Sequence, residues 1–135
     1  MKEFKLPYGK EKLTLKVEEE HLGGVLVSKI HEYKAGKIGS KLVQDALENP
    51  IGTPRLKDMA EGKNKIVVIS SDHTRPVPSH IIMPLLLDEI REGNPNADIT
   101  ILVSTGLHRA TTKEELIGKY GEKICSNEKI VIHDC

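Results

Sequence analysis

Three short apolar runs constrain this chain more than any other feature. KIVVIS (65–70), DITILVS (98–104) and EKIVIHD (128–134) are rich in β-branched residues and similarly spaced, which reads as buried strands. Between the first two, Ile82, Leu86 and Ile90 recur at i, i+4 and predict a helix over roughly 79–92. A second helix is expected over roughly 112–119, opening with a capping-box pattern, Thr112 and Glu115 three residues on. Strands alternating with helices in this order predict a parallel βαβαβ core. Pro84 predicts that the first helix starts late or is kinked, because an interior proline loses a hydrogen bond and clashes with the preceding turn.

The front of the chain has a different rhythm. FKLPYGKEKLTLKV offers two short strands around Tyr8-Gly9-Lys10, and GVLVSKI (24–30) a third. Ile38, Leu42, Val43 and Leu47 show helical spacing over 38–48, closed by Asn49-Pro50, and LKDMA (56–60) reads as a short helix stopped by Gly62. The expected fold is therefore α/β. It is a Rossmann-like three-layer domain, with a parallel βαβαβ core over 65–135 and an amino-terminal β-hairpin region plus helix over 1–64. The chain stops just after its third regular strand, and parallel sheets normally have both faces covered. Either the front region covers the open face, or this is the front portion of a longer protein.

Length and charge exclude several classes. The 135 residues are one domain's worth. Twenty basic and twenty acidic residues cancel, so no global field recruits nucleic acid or anionic lipid. Aromatic residues are 3% with no Trp, which argues against a base-stacking surface. No apolar run spans a bilayer, and the start has no signal-like apolar region. Cys125 and Cys135 fit no zinc spacing. A cytoplasmic protein with reduced thiols, no membrane and no nucleic-acid partner is expected.

The chemistry sits where the strands end. SDHTRPVP (71–78) gathers Asp72, His73, Thr74 and Arg75 into one turn directly after the first apolar run, and Pro76 and Pro78 stiffen its exit. STGLHR (104–109) follows the second run and brings out His108. Right-handed crossovers put both strand ends at one edge of the sheet, where open α/β sheets bind ligands. Arg75 presents a fork suited to a carboxylate or phosphate. His108 is able to accept and donate a proton near neutrality, and Asp72 to orient a partner. Singly, Asp72 and Thr74 read as turn formers, Arg75 as a solvated cation and His108 as a loop residue; together on two strand ends, a site is the better reading. His21, His31, His80 and Arg109 read as surface residues, while His133 at the end of the third run reads either way. No glycine-rich dinucleotide fingerprint, P-loop or nucleophile elbow is present, and no helical His spacing marks a metal site.

DHTRP and STGLHR, at this separation and each after an apolar strand, resemble the amino-terminal domain of the nickel-dependent lactate racemase family. The resemblance covers residues 65–135 clearly and the front loosely; racemases and epimerases of other 2-hydroxy acids share these motifs. It implies a longer two-domain enzyme using a nickel-pincer pyridinium mononucleotide. His108 matches one of two acid/base histidines, and Asp72, His73, Thr74 and Arg75 lie against cofactor and substrate, Arg75 suiting the substrate carboxylate. The second histidine, the tethering lysine and the nickel-ligating histidine are expected in the missing carboxy-terminal domain, so no metal ligand is assigned here. The resemblance implies a truncated product that does not racemise lactate alone. The competing reading is a non-catalytic α/β module that binds a small anion or mononucleotide. A third is an interaction domain whose exposed sheet face docks another chain.

Overall fold

The structure, a computed structural model, describes residues 1–134; Cys135, one of the two expected thiols, lies outside the described residues. The chain divides into two compact units, one ending at Ala35 and one starting at Gly36.

The first unit is a hairpin and its tail. β1 (Lys2–Tyr8) pairs antiparallel with β2 (Glu11–Val17), with Phe4 opposite Leu15 and Leu6 opposite Leu13. The turn needs the positive φ of Gly9, +58°, which glycine adopts without a Cβ penalty. The expected third strand over 24–30 does not form. Gly24 has a φ of +153°, Leu26 is fully exposed, and Lys29–Glu32 is a 3₁₀ turn capped by the Ser28 hydroxyl. A β-branched run becomes a strand only when a neighbour satisfies its backbone, and among the described residues no strand pairs with this one.

The second unit carries the sheet. Helices α1 (Gly39–Glu48) and α2 (Leu56–Ala60) precede β3 (Lys65–Ser71), α3 (Ser79–Gly93) and β4 (Asp98–Ser104). Then come α4 (Lys113–Tyr120), α5 (Glu122–Asn127) and β5 (Lys129–Ile132). The strands lie in the order β3-β4-β5, all parallel, as the alternation of runs predicts. The α/β class, parallel core and amino-terminal hairpin are those expected; α5 is an addition that periodicity did not reveal. α3 begins at Ser79 and runs through Pro84, so it does not start late. Pro84 is the sixth residue of that helix and is itself exposed, so its missing N–H costs one bond on the solvent side.

One face of the sheet makes the core. Ile99, Ile101 and Val103 of β4 pack with Met83, Leu87 and Ile90 of α3, joined by Tyr120, Ile124 and Ala60. α1 and α2 pack on α3 and so thicken this helical layer. α2 crosses so closely that a Cβ on Gly93 would sit 1.9 Å from the Lys57 carbonyl oxygen. A paired Arg55 and Glu89, at 3.0 and 2.9 Å, pins the same crossing. The opposite face leaves Val67 59% and Ile69 72% exposed. Successive right-handed crossovers in one direction put every helix on the same side, so the described residues supply two of the three expected layers. Among them, no helix is long and apolar enough to cross a membrane.

Candidate active site

β3 and β4 end in register, Ser71 beside Ser104, so the two following loops leave the sheet side by side. In the first loop Asp72 Oδ1 accepts from the Thr74 amide at 3.1 Å and its hydroxyl at 2.7 Å. That is the Asx-type turn these residue types favour. The other oxygen does something a turn former need not do. Asp72 Oδ2 lies 2.5 Å from His108 Nδ1, across 36 residues of chain.

The second loop delivers His108 by a sharp reversal. Gly106 has a φ of +57°, the His108 amide donates to the Thr105 carbonyl at 3.0 Å, and buried Thr105 donates to the His133 carbonyl at 2.9 Å. Asp72 is only 2% exposed while His108 remains accessible. Hydrogen bonds from Thr74 first, and then from His108, hold the Asp72 carboxyl well below the usual carboxylate range, against the cost of its burial. An ionised Asp72 accepts only, so His108 Nδ1 donates to it and Nε2 is left as the free nitrogen.

Asp72, Arg75, Thr105, Leu107 and His108 line one cleft of about 450 Å³. Arg75 is exposed and makes no ion pair or side-chain hydrogen bond among the described residues. Thr74 braces Asp72. His73 turns elsewhere: its Nδ1 lies 3.2 Å from the Thr111 hydroxyl and its Nε2 3.6 Å from Glu115, beside a second cleft. His133 is exposed at the end of β5, tied to β4 through its backbone, and does not line the cleft. Thr105 and Lys119 are the residues that sequence reasoning missed. A threonine after a strand and a lysine late in a helix carry no distinguishing pattern.

Glu115 braces the second loop. The expected capping box is present, with Thr112 Oγ1 accepting from the Glu115 amide and Glu115 accepting from the Thr112 amide. The same carboxylate takes both prongs of Arg109 at 2.9 and 2.6 Å, and chiefly for that reason its pKa falls from 4.5 to about 2. A depressed folded-state value contributes stability that is present above the unfolded value and lost as pH falls through the folded one. Thermal unfolding of the chain should therefore lose part of its Tm between about pH 4.5 and about pH 2. Glu115→Gln should flatten that part of the profile; an unchanged acid profile would show that the pair contributes nothing.

Comparison with known proteins decides the family. The family described as the lactate racemase N-terminal domain matches residues 8–135. The chain belongs to it. The lactate racemase of Thermoanaerobacterium thermosaccharolyticum is 52% identical over 134 residues, 99% of this chain and 32% of that protein. The lactate racemase of Lactiplantibacillus plantarum is 51% identical over 128 residues, 95% of this chain and 30% of that one. The solved structure of the Thermoanaerobacterium lactate racemase apoprotein superposes with a TM-score of 0.82 at 51% identity, over 98% of this chain and 30% of that chain. The chain thus spans about a third of the length of the curated lactate racemases it matches.

Proposed function

We propose that this chain supplies one half of the active site of a 2-hydroxy-acid racemase acting on lactate, with His108 as acid/base and Arg75 as the carboxylate clamp. The observation that carries the reading is the short Asp72–His108 bond in the same cleft as an unpaired guanidinium. Asp72 holds His108 in the tautomer whose Nε2 lone pair is available to a substrate hydroxyl. It also stabilises the imidazolium that forms when the proton arrives. Arg75 grips the substrate carboxylate by two parallel bonds.

The residues present fit the organic and anionic parts of a nickel-pincer mononucleotide better than its metal. Among the described residues no group of three or more His, Cys, Asp or Glu is placed to hold a metal ion. Asp72, Thr74 and Arg75 would lie against the cofactor, while ligation and tethering belong to residues outside this chain. When bound, that cofactor would supply a reversible hydride acceptor for the α-hydrogen, the chemistry that inversion at the α-carbon needs. His108 takes the hydroxyl proton at Nε2 as the carbonyl forms, and gives it back on return. A neutral imidazole is far too weak a base to remove the α-proton itself, so hydroxyl deprotonation is the task it is able to perform. The two enantiomers point their hydroxyls in different directions and need a second base. This chain alone therefore does not racemise lactate.

Arg75→Lys tests the clamp. A point cation keeps the charge and loses the fork, so kcat/KM for lactate in the full-length enzyme should fall about tenfold, mainly through KM. An unchanged kcat/KM would remove Arg75 from substrate binding.

A further inference from the structure

We propose that Thr105 is a positioning residue for His108: its buried hydroxyl ends the β4–β5 ladder and sets the turn that carries the imidazole to Asp72. The proposal rests on the racemase reading above for its effect on rate. Its effect on the His108–Asp72 contact stands without that reading.

The ladder is where the argument begins. The register of β4 and β5 closes at Val103 beside Ile132, and the next amide, that of His133, donates to the Val103 carbonyl at 2.9 Å. In a continued parallel ladder the following bond would run the other way, from the Thr105 amide to the His133 carbonyl. The Thr105 hydroxyl takes that place instead, donating to the His133 carbonyl at 2.9 Å. The carbonyl keeps a partner, and the Thr105 backbone is released from the sheet. A threonine hydroxyl has one proton to give, and here it goes to this exchange.

That release is what the turn needs. Directly after Thr105, Gly106 takes a φ of +57°, a left-handed conformation open to glycine. The chain reverses, and the His108 amide donates back to the Thr105 carbonyl at 3.0 Å. Thr105 therefore holds β5 with its side chain and His108 with its main chain. Leu107, between them, is 96% exposed and gives the tip no packing of its own. The far side of the loop is secured separately, by Arg109 on Glu115. Thr105 is the anchor upstream of the imidazole, one residue past Ser104, which lies beside Ser71 and so beside the turn that carries Asp72.

Valine has the shape of threonine and no donor. In its place the His133 carbonyl would lose its partner, which is unfavourable, and the nearest replacement donor is the residue's own amide. Using that amide would extend β4, draw the turn toward β5 and carry His108 off Asp72. A misplacement of about 1 Å costs up to about 10²-fold in rate.

Thr105→Val and Thr105→Ser test this in two ways. In the 135-residue chain, at a pH where the ring is neutral, ¹⁵N NMR of His108 reports which ring nitrogen holds the proton. It should show Nδ1–H in the wild type and in Thr105→Ser, and a mixture of tautomers in Thr105→Val. In the full-length enzyme Thr105→Val should lower kcat for lactate about tenfold or more with KM within about twofold, and Thr105→Ser should restore most of the loss. The wild type supplies a further check that needs no variant: the Thr105 hydroxyl proton should exchange slowly enough to be seen by NMR. Rapid exchange would overturn the bond even if Thr105→Val does not fold. The wild-type tautomer in Thr105→Val, or an equal loss of kcat in Thr105→Ser, would overturn the positioning role. Unchanged kcat in Thr105→Val where His108→Ala is inactive would overturn it too. A disturbed tautomer in Thr105→Val beside a fully active His108→Ala enzyme would instead overturn the racemase reading and leave the placement of the imidazole standing.

Discussion

If His108 is the proposed acid/base, replacing it by alanine in the full-length protein should lower kcat for interconversion of D- and L-lactate by about 10²–10⁴-fold, the usual worth of a positioned acid/base. The loss should fall on kcat more than KM, because the clamp proposed for Arg75 is left in place. Asp72→Asn is the sharper companion. An amide keeps the shape of the turn but no longer dictates that His108 Nδ1 carries the proton, and it removes the charge that stabilises an imidazolium. Activity should fall steeply, and the unfolding temperature should fall as well, because the depressed pKa of buried Asp72 marks a charge that stabilises the fold. Preserved racemisation in His108→Ala would remove the imidazole from the chemistry. Preserved racemisation in Asp72→Asn alone would reduce the short contact at 2.5 Å to a structural one.

Ile101→Ala is the largest expected effect on stability. Ile101 lies at the middle of β4, the central strand, is 0% exposed, and pairs with Val68 on one side and Ile130 on the other. Both strands and α3 close over it, so the cavity left by truncation has no flexible wall to collapse. The cost should be about 2–5 kcal/mol, read as a fall in the denaturation midpoint with little change in m-value. Val67→Ala, on the exposed face one residue before Val68, should cost far less. Equal costs at the two positions would mean that the sheet's faces are not differently buried.

Much of this was legible because local signals agreed. The runs at 65–70 and 98–104 became β3 and β4, the third run became β5 over Lys129–Ile132, and Thr112 with Glu115 capped α4 as their spacing predicts. GVLVSKI misled because β-propensity states what fits a sheet and not whether a partner strand exists. Pro84 did not delay the start of α3, which runs from Ser79 through it. α5, six residues long, was too short for periodicity to find.

DHTRP and STGLHR announced, on their own, which side chains would emerge at the carboxyl ends of two strands, since turn chemistry and strand patterning are local properties of a chain. That Asp72 gives one oxygen to its own turn and the other to an imidazole 36 residues away was settled only by folding. So was the approach of Lys119, 48 residues on from Ser71, to the back of the same turn. Such meetings depend on strand register and on how α4 returns to the sheet. Both are products of packing, which no window of sequence contains.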